Sequence, residues 1–172
     1  MNPVALSVGQ LIDGCRRGDI NFRFSAKSSA IEGIRGHQRV QQSRGEGYLA
    51  EYPVSIALKT SGMDLEVGGR IDGCWFDSAR GLLCIEEIKT LRVEVEDIPE
   101  GVLDSYWHQA QLYGYIVGTQ IGAEKLILRL CLYHLDKKTE TVLERVSDLK
   151  ELAAIFLDTV GFFSTILGRR QK

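Results

Sequence analysis

The pattern of apolar and polar positions along the chain predicts alternating blocks of helix and strand. Apolar residues three or four positions apart indicate helices over residues 7–17, 30–43 and 104–118, and a long apolar helix from Ser147 to about Leu167. Alternating or β-prone apolar runs indicate strands over 48–59, 65–76, 82–90, 125–135 and from the 136–139 turn to Val146. Residues 21–25 are predicted to be irregular. The order helix, helix, three strands, helix, two strands, helix is typical of an α/β fold, a central mixed β-sheet flanked by helices.

Single residues predict where some of these elements begin or lie. Ser29 and Ser147 are predicted N-caps of the helices that follow them, because a serine hydroxyl accepts a hydrogen bond from a free amide of the first turn. Pro53 has no amide hydrogen to donate, so its strand is predicted to lie at an edge of the sheet. Residues 91–101 are acidic and contain Pro99, which indicates a loop and a candidate flexible flap.

Length and composition restrict the class of protein. The 172 residues suffice for one compact domain, so residues 1–172 are predicted to form a single domain. Fractions of 44% hydrophobic and 26% charged residues exclude disordered and fibrous proteins. No apolar run approaches the roughly 20 residues of a membrane span, and the first residues lack the pattern of a secretory signal, so a cytoplasmic protein with no membrane contact is expected. The net charge of −2 gives no general attraction to nucleic acid, and any DNA contact needs a local basic patch.

The most informative pattern is the predicted hairpin of the 65–76 and 82–90 strands. Asp72 lies on the first strand, and Glu87 and Lys89 share one face of the second. Folding back between them brings Asp72 opposite Glu87, so two carboxylates and an ammonium meet, a set that suits a hard divalent cation and a phosphate oxygen. A surface ion pair is the plain alternative. The metal site is favoured because Leu83 and Ile85 share this face, and a solvated face is more often polar throughout.

Other residues are weaker candidates. His37 follows Gly33 and Gly36 in a helix, where each glycine costs about 1 kcal/mol relative to alanine. That cost favours a close approach of another element or of a substrate, and a neutral imidazole could complete a metal shell. Gln109 and Tyr113 share a helical face. Glu86 points away from Glu87 and would replace it as a ligand only if the register shifted by one, while His108 and His134 are interpreted as structural or surface residues.

These residues together resemble a known family. Asp72 followed by Glu87-Ile88-Lys89 resembles the signature of the PD-(D/E)xK nuclease superfamily, with Ile71 in place of the signature's proline. Gly-x-x-Gly-His37 upstream and Gln109-x-x-x-Tyr113 downstream are similar to its RecB-type exonuclease branch. That branch includes the nuclease domains of recombinational helicase-nucleases and the CRISPR-associated spacer-acquisition nucleases. The four motifs run from His37 to Tyr113 in the order of that branch.

The resemblance implies a restriction-endonuclease-like core and a deoxyribonuclease that depends on Mg²⁺ or Mn²⁺. It assigns the chemistry to Asp72, Glu87 and Lys89, with Lys89 orienting the attacking water. The ion would be held by His37, Asp72, Glu87 and the main-chain carbonyl of Ile88. Gln109 and Tyr113 would bind the DNA backbone or brace the site. The arginines of the His37 helix and its end would supply part of the phosphate-binding surface: Arg35, Arg39 and Arg44.

Many relatives also hold an iron–sulfur cluster with one upstream and three downstream cysteines. The four cysteines of this chain show no close pair and none follows Cys131, so no iron–sulfur cluster is expected and the four are predicted to be ordinary buried or half-buried thiols: Cys15, Cys74, Cys84 and Cys131.

The expected activity is that of an exonuclease on single-stranded or unwound DNA ends. The chain has no Gly-x-x-x-x-Gly-Lys-Ser/Thr loop, so a helicase is expected to unwind the DNA, either on the same longer polypeptide or as a partner. A stand-alone nuclease is the alternative to that partnership. For the activity itself, the alternatives are an endonuclease, a flap nuclease or an RNA-cutting enzyme of the same fold, and a non-catalytic DNA-binding or docking module.

Overall fold

The computed structural model describes residues 2–16, 29–60 and 62–170. The elements in chain order are β1 (Val4–Ser7), α1 (Val8–Arg16), α2 (Ala30–Ser43), β2 (Leu49–Thr60), β3 (Met63–Asp77), β4 (Leu82–Leu91), α3 (Glu100–Ile121), β5 (Lys125–His134), β6 (Thr139–Asp148) and α4 (Leu149–Arg170). The predicted order is confirmed, with the short strand β1 added at the start. Residues 21–25 lie outside the described part of the chain.

One mixed six-stranded sheet forms the centre, and its long strand β3 organises it. Antiparallel β2 follows one edge of β3 from Met63 to Cys74. The other edge is divided, because β1 pairs in parallel with Leu65–Gly68 and β4 pairs antiparallel with Gly73–Asp77. Between Gly68 and Gly73 this edge of β3 has no strand partner among the described residues. The sheet therefore has an opening where β3 and β4 diverge.

Helices cover both faces of the sheet, which makes the fold an α/β fold consistent with a restriction-endonuclease-like core. The main core joins the sheet to α1, α3 and α4, with Leu11, Leu112 and Phe156 among its buried members. On the opposite face, α2 packs through Val40 against Ile88 of β4 and its neighbours on β5. The helix α3 connects the parallel strands β4 and β5, as a crossover of parallel strands requires.

Two of the predicted local signals are confirmed. Ser29 caps α2 in a capping box, in which its hydroxyl accepts the Glu32 amide at 3.2 Å and the Glu32 carboxylate accepts the Ser29 amide at 2.9 Å. The strand that contains Pro53 is an edge strand, since β3 is the one partner of β2 among the strands that the structure describes.

Three other expectations are wrong. Ser147 does not cap α4, because it lies buried within β6 and α4 begins at Leu149. The 91–101 segment is largely a loop, as predicted, but it is not a detached flap, because Leu91 and Ile98 are buried against Val102 and a short 3-10 helix, Val95–Asp97, shapes it. Its acidic residues concealed these apolar anchors.

The third correction concerns α4. By length and composition the 149–168 stretch could cross a membrane, although no such run was expected from the sequence. Scattered charges such as Lys150 and Asp158 concealed its overall hydropathy. In this structure a stripe of α4 that includes Leu152, Phe156 and Val160 is buried in the main core.

Candidate active site

The predicted site residues meet at the opening between β3 and β4. The last paired residues of the two strands are Gly73 and Glu86, so Asp72 and Glu87 are the next positions along each strand. This is the predicted register. Beyond that point the Asp72 carboxylate takes the place of a strand partner, since its Oδ2 accepts the Ile88 amide at 2.7 Å.

The backbone is distorted where Asp72 enters the opening. Side-chain alternation is interrupted there, because Ile71 lies in the main core whereas the space beside Gly73 is filled by Tyr48 on the α2 side. On the neighbouring strand, Glu51 has a φ of 52°, in the left-handed region that non-glycine residues rarely adopt. Backbone strain of this kind persists only where surrounding contacts enforce it, and it concentrates at functional sites.

A cluster suited to a metal ion forms at this distortion. The Nδ1 of His37 lies 3.5 Å from Oδ1 of Asp72. Glu51 supplies the third group, and one ligand atom from each of the three residues lies within 4.8 Å of the others. Imidazole nitrogen and carboxylate oxygen are ligands that a small divalent cation accepts. The cluster contains two of the four predicted ligands, His37 and Asp72, with Glu51 and without Glu87, and these three groups are of the kind that a small divalent cation accepts.

Glu51 was missed by the sequence analysis. In the sequence it is one more exposed carboxylate on an edge strand, and the left-handed φ that turns it toward Asp72 has no signal in a glutamate. Gln41 of α2 holds this arrangement together, because its amide donates at 2.8 Å both to the Glu51 carboxylate and to the Asp72 carbonyl.

Glu87 and Lys89 form the second half of the site. Glu87 is only 2% exposed, and its Oε1 lies 2.7 Å from the Lys89 ammonium. Lys89 also donates to Oε1 of Gln109 at 2.8 Å and lies 5.2 Å from the centre of the Tyr106 ring. The ammonium is therefore fixed by three groups and points to the same opening as Asp72.

The protonation equilibria of this group depend on one another. The pKa of Glu87 is raised to about 7, mainly by burial; Lys89 opposes this shift and Asp72 adds to it. Burial alone would lower the pKa of Lys89, but the adjacent Glu87 carboxylate keeps it above its ordinary value. In the same way, Asp72 outweighs burial and raises the pKa of His37. Lys89 is accordingly protonated at neutral pH.

Gln109 and Tyr113 have the contacts of bracing residues. The Gln109 side chain holds Lys89, and Tyr113 is only 5% exposed. A Cβ added to Gly69 would meet the Tyr113 hydroxyl at 2.4 Å, so this glycine lets the tyrosine pack against the open edge of β3. Burial raises the pKa of Tyr113, so the phenol remains neutral. A DNA contact by either residue remains a prediction.

The close approach expected beside His37 is confirmed for Gly36. A Cβ at this position would lie 2.5 Å from Cγ2 of Thr90, so only glycine lets α2 reach the end of β4. That contact places His37, the next residue, over the opening.

Glu86 is not an alternative metal ligand. Its fully buried carboxylate accepts the Tyr48 hydroxyl at 2.8 Å and is held by Arg44 at 2.8 Å and Arg129 at 3.3 Å, on the α2 side of the sheet. Arg44, expected to contact DNA, is instead paired with Glu86 and with Glu140 at 2.7 Å. This network joins the end of α2 to β4 and thereby helps to hold the helix that carries His37.

The remaining predicted residues are placed as follows. Arg35 and Arg39 are exposed on α2 and line a cavity on the side of that helix turned away from His37. His108 bonds Thr159 at 2.8 Å, and His134 lies 3.9 Å from Glu94, which fits their structural reading. All four cysteines are free thiols; Cys15 is half-buried and the other three are buried, as predicted.

Comparison with known proteins identifies a shared fold. No family model and no curated protein matches this chain. Among solved structures it is similar to the crystal structure of SSO0001, with a TM-score of 0.58 and 20% identity over 93% of this chain and 77% of that one. It also matches Rai1 of Scheffersomyces stipitis, with a TM-score of 0.39 and 11% identity over 98% of this chain and 61% of that one. The first likeness shows the fold alone, and the second is too low to support an argument.

Proposed function

We propose that this chain is a nuclease of the PD-(D/E)xK superfamily, RecB-type branch, that hydrolyses DNA with Mg²⁺ or Mn²⁺. The observation that carries the proposal is the meeting of Asp72, Glu87 and Lys89 at the opening in the sheet, beside His37. A carboxylate that is buried beside a second carboxylate and an ammonium is costly for the fold, and such groups concentrate at functional sites.

The ion would be held by His37 and Asp72, with Glu87 and the Ile88 carbonyl as the resemblance implies and Glu51 as the geometry suggests. A bound divalent cation supplies a water of lowered pKa and neutralises charge on the phosphate.

Lys89 acts in this proposal as a donor rather than as a base. Its ammonium stays protonated because Glu87 raises its pKa. Held also by Gln109, it offers a positive charge and a hydrogen-bond donor where the attacking water and the phosphate oxygens would meet. A charge fixed before the reaction needs little reorganisation when negative charge develops on the phosphate.

The direct test is cleavage of end-labelled single-stranded DNA in Mg²⁺ or Mn²⁺. Asp72→Asn, Glu87→Gln and Lys89→Met should each reduce the rate at least about 100-fold, the usual effect of losing one preorganised charge. Glu66→Gln is the matched control, because Glu66 is an exposed carboxylate elsewhere on β3. If all three site variants cut at the control rate, the proposal is wrong.

The choice of substrate separates the alternatives. An exonuclease degrades linear but not circular single-stranded DNA, an endonuclease degrades both, and a flap nuclease needs a branched substrate. An RNA-cutting enzyme prefers the matched oligoribonucleotide. If no substrate is cut while calorimetry detects DNA binding, the chain is a non-catalytic binding module.

The partnership with a helicase is also part of the proposal. The chain has no phosphate-binding motor loop, so in this proposal another protein unwinds the DNA end before it is cut. The purified chain should therefore cut forked or single-stranded DNA at least about tenfold faster than blunt duplex. Rapid degradation of blunt duplex by the chain alone would exclude this part of the proposal.

A further inference from the structure

A cavity of about 180 Å³ lies between α2 and the segment that follows β4, on the side of α2 turned away from His37. Three guanidinium groups line it, from Arg35, Arg39 and Arg92, against one carboxylate, from Glu32. Its volume is several times the space that a single water molecule requires. The cavity is therefore open to a small anion and carries a surplus of positive charge.

Two of the three arginines are not paired with a carboxylate among the described residues. Within the described part of the chain, Arg35 and Arg39 form no ion pair, and both side chains are exposed. Arg92 is fixed in place by Glu32 and by Asp136, the latter at 3.5 Å. The site therefore combines one guanidinium held in place, that of Arg92, with two whose side chains can adjust to a ligand, those of Arg35 and Arg39.

Two buried donors at the cavity lack a partner. Among the described residues, Nε of Arg92 and the hydroxyl of Tyr133 are buried without a hydrogen bond. Tyr133 is only 5% exposed and lines the cavity. A buried polar group without a partner carries an energetic cost. An oxyanion in the cavity would accept from both donors and remove that cost.

We infer that this cavity is a phosphate-binding subsite for the nucleic-acid strand, formed by Arg35, Arg39, Arg92 and Tyr133. Guanidinium groups match the geometry of phosphate oxygens, and a neutral hydroxyl adds a donor without charge. The inference rests on the proposed nuclease function for the identity of the strand. The phosphate is either an internal diester or a group at a strand end.

The position of the cavity fits a strand that also reaches the proposed active site. Gly36, which lines the cavity, is the neighbour of His37 in sequence. Arg92 follows Lys89 by three residues, which corresponds to about 10 Å of extended chain. The subsite would therefore hold a phosphate close to the one that is cut, on the same strand.

The first test measures binding of a labelled single-stranded oligonucleotide in a chelator, so that no cleavage intervenes. Arg39→Ala should weaken binding about 5- to 10-fold and lower the slope of log K against log salt by about 0.7, the change expected for one lost phosphate contact. Tyr133→Phe should weaken binding about 3- to 10-fold without changing that slope, because the hydroxyl carries no charge.

Lys150→Ala is the matched control, because Lys150 is an exposed cation at the start of α4 and does not line this cavity. If Arg39→Ala and Lys150→Ala bind alike, the subsite is excluded. Oligonucleotides with a 5′-phosphate, a 3′-phosphate or neither identify the source of the phosphate. If Arg39→Ala weakens binding of only one of the phosphorylated oligonucleotides, the subsite binds a terminal phosphate. If it weakens binding of all three oligonucleotides equally, the subsite binds an internal diester.

The second test uses inorganic phosphate and needs no nucleic acid. Titration should shift the Nε–Hε signal of Arg92 in the ¹H–¹⁵N NMR spectrum of the wild type, and the shift should require a higher phosphate concentration in Arg39→Ala. No movement of that signal at saturating phosphate would overturn the inference. If phosphate shifts the Arg92 signal but the protein cuts no substrate, the subsite is supported and the nuclease function is wrong. If the protein cuts DNA but Arg39→Ala changes neither oligonucleotide binding nor the phosphate titration, the nuclease function is supported and the subsite is wrong.

Discussion

Glu86 and Glu87 are neighbours in sequence with opposite expected effects on stability. Both are buried, but Glu86 is held by Tyr48, Arg44 and Arg129 on the α2 side, whereas Glu87 shares the open site with Lys89. Replacing each in turn therefore tests whether Glu86 stabilises the fold, and whether Glu87 instead serves the proposed reaction and contributes little to stability.

The magnitude for Glu86→Ala follows from the groups it leaves behind. Removing one partner of a buried ion pair costs about 3–5 kcal/mol. Arg44 keeps Glu140 at 2.7 Å, so the lower end of that range, about 3 kcal/mol, applies here. For a protein of this size, that loss lowers the melting temperature by about 6–12 °C.

The expectation for Glu87→Gln is different. In the metal-free protein at pH 8, ionising Glu87 costs at most about 3 kcal/mol, since its pKa rises from 4.5 to about 7. The variant removes that cost but also removes the partner of Lys89. Because these two effects oppose each other, we expect the free energy of unfolding of Glu87→Gln to fall by clearly less than that of Glu86→Ala, or to rise.

Urea unfolding of both variants and the wild type at pH 8 in a chelator, followed by circular dichroism, measures both values. The cleavage assay is run in parallel, in which Glu87→Gln should be inactive and folded. The reasoning is refuted if Glu86→Ala loses less than about 1 kcal/mol, or if Glu87→Gln loses as much as Glu86→Ala.

Three further predictions concern pH, metal and packing. Because the folded protein binds a proton at Glu87 more tightly than the unfolded chain, this group should make the metal-free protein lose stability as pH rises from about 4.5 to about 7; a Glu87→Gln variant whose unfolding free energy follows the same pH slope would contradict this. Mg²⁺ or Mn²⁺ at 100 times its Kd should stabilise the wild type by about 2.7 kcal/mol in thermal denaturation and Asp72→Asn by clearly less, whereas Ca²⁺ should bind without supporting cleavage and the pure protein should be colourless. Gly73→Ala should destabilise by about 1–3 kcal/mol because its Cβ would lie 1.7 Å from the Tyr48 hydroxyl, while Gly161→Ala, with nothing within 4 Å, should be neutral or stabilising in the same urea assay.

Much of the fold was predictable because the signals are local. The bounds of α2 were predicted from a serine cap and helical spacing, and both are confirmed. The pairing of Asp72 with Glu87 was predictable as well, because a tight turn and the alternation of side chains fix the register of a hairpin. The close approach at Gly36 followed from the cost of a glycine within a helix.

Other features depended on residues far apart in the chain. Glu51 joins His37 and Asp72 only because β2 is distorted where it follows β3. The periodicity of one strand cannot show whether Glu86 faces solvent or meets Arg44 and Arg129. The burial of Leu91 and Ile98 in the acidic 91–101 segment likewise depends on residues elsewhere in the chain, such as Leu132.

The sequence by itself determined the order of the elements, the hairpin register and the residues of the four motifs. Each of these depends on spacing along the chain, which backbone geometry converts directly into faces and pairs. Only the tertiary structure decided which carboxylate is structural, that Glu51 joins the site, and that Arg92 and Tyr133 meet Arg39 across a cavity. Those outcomes depend on which surfaces pack together and exclude water, and that is a property of the whole chain.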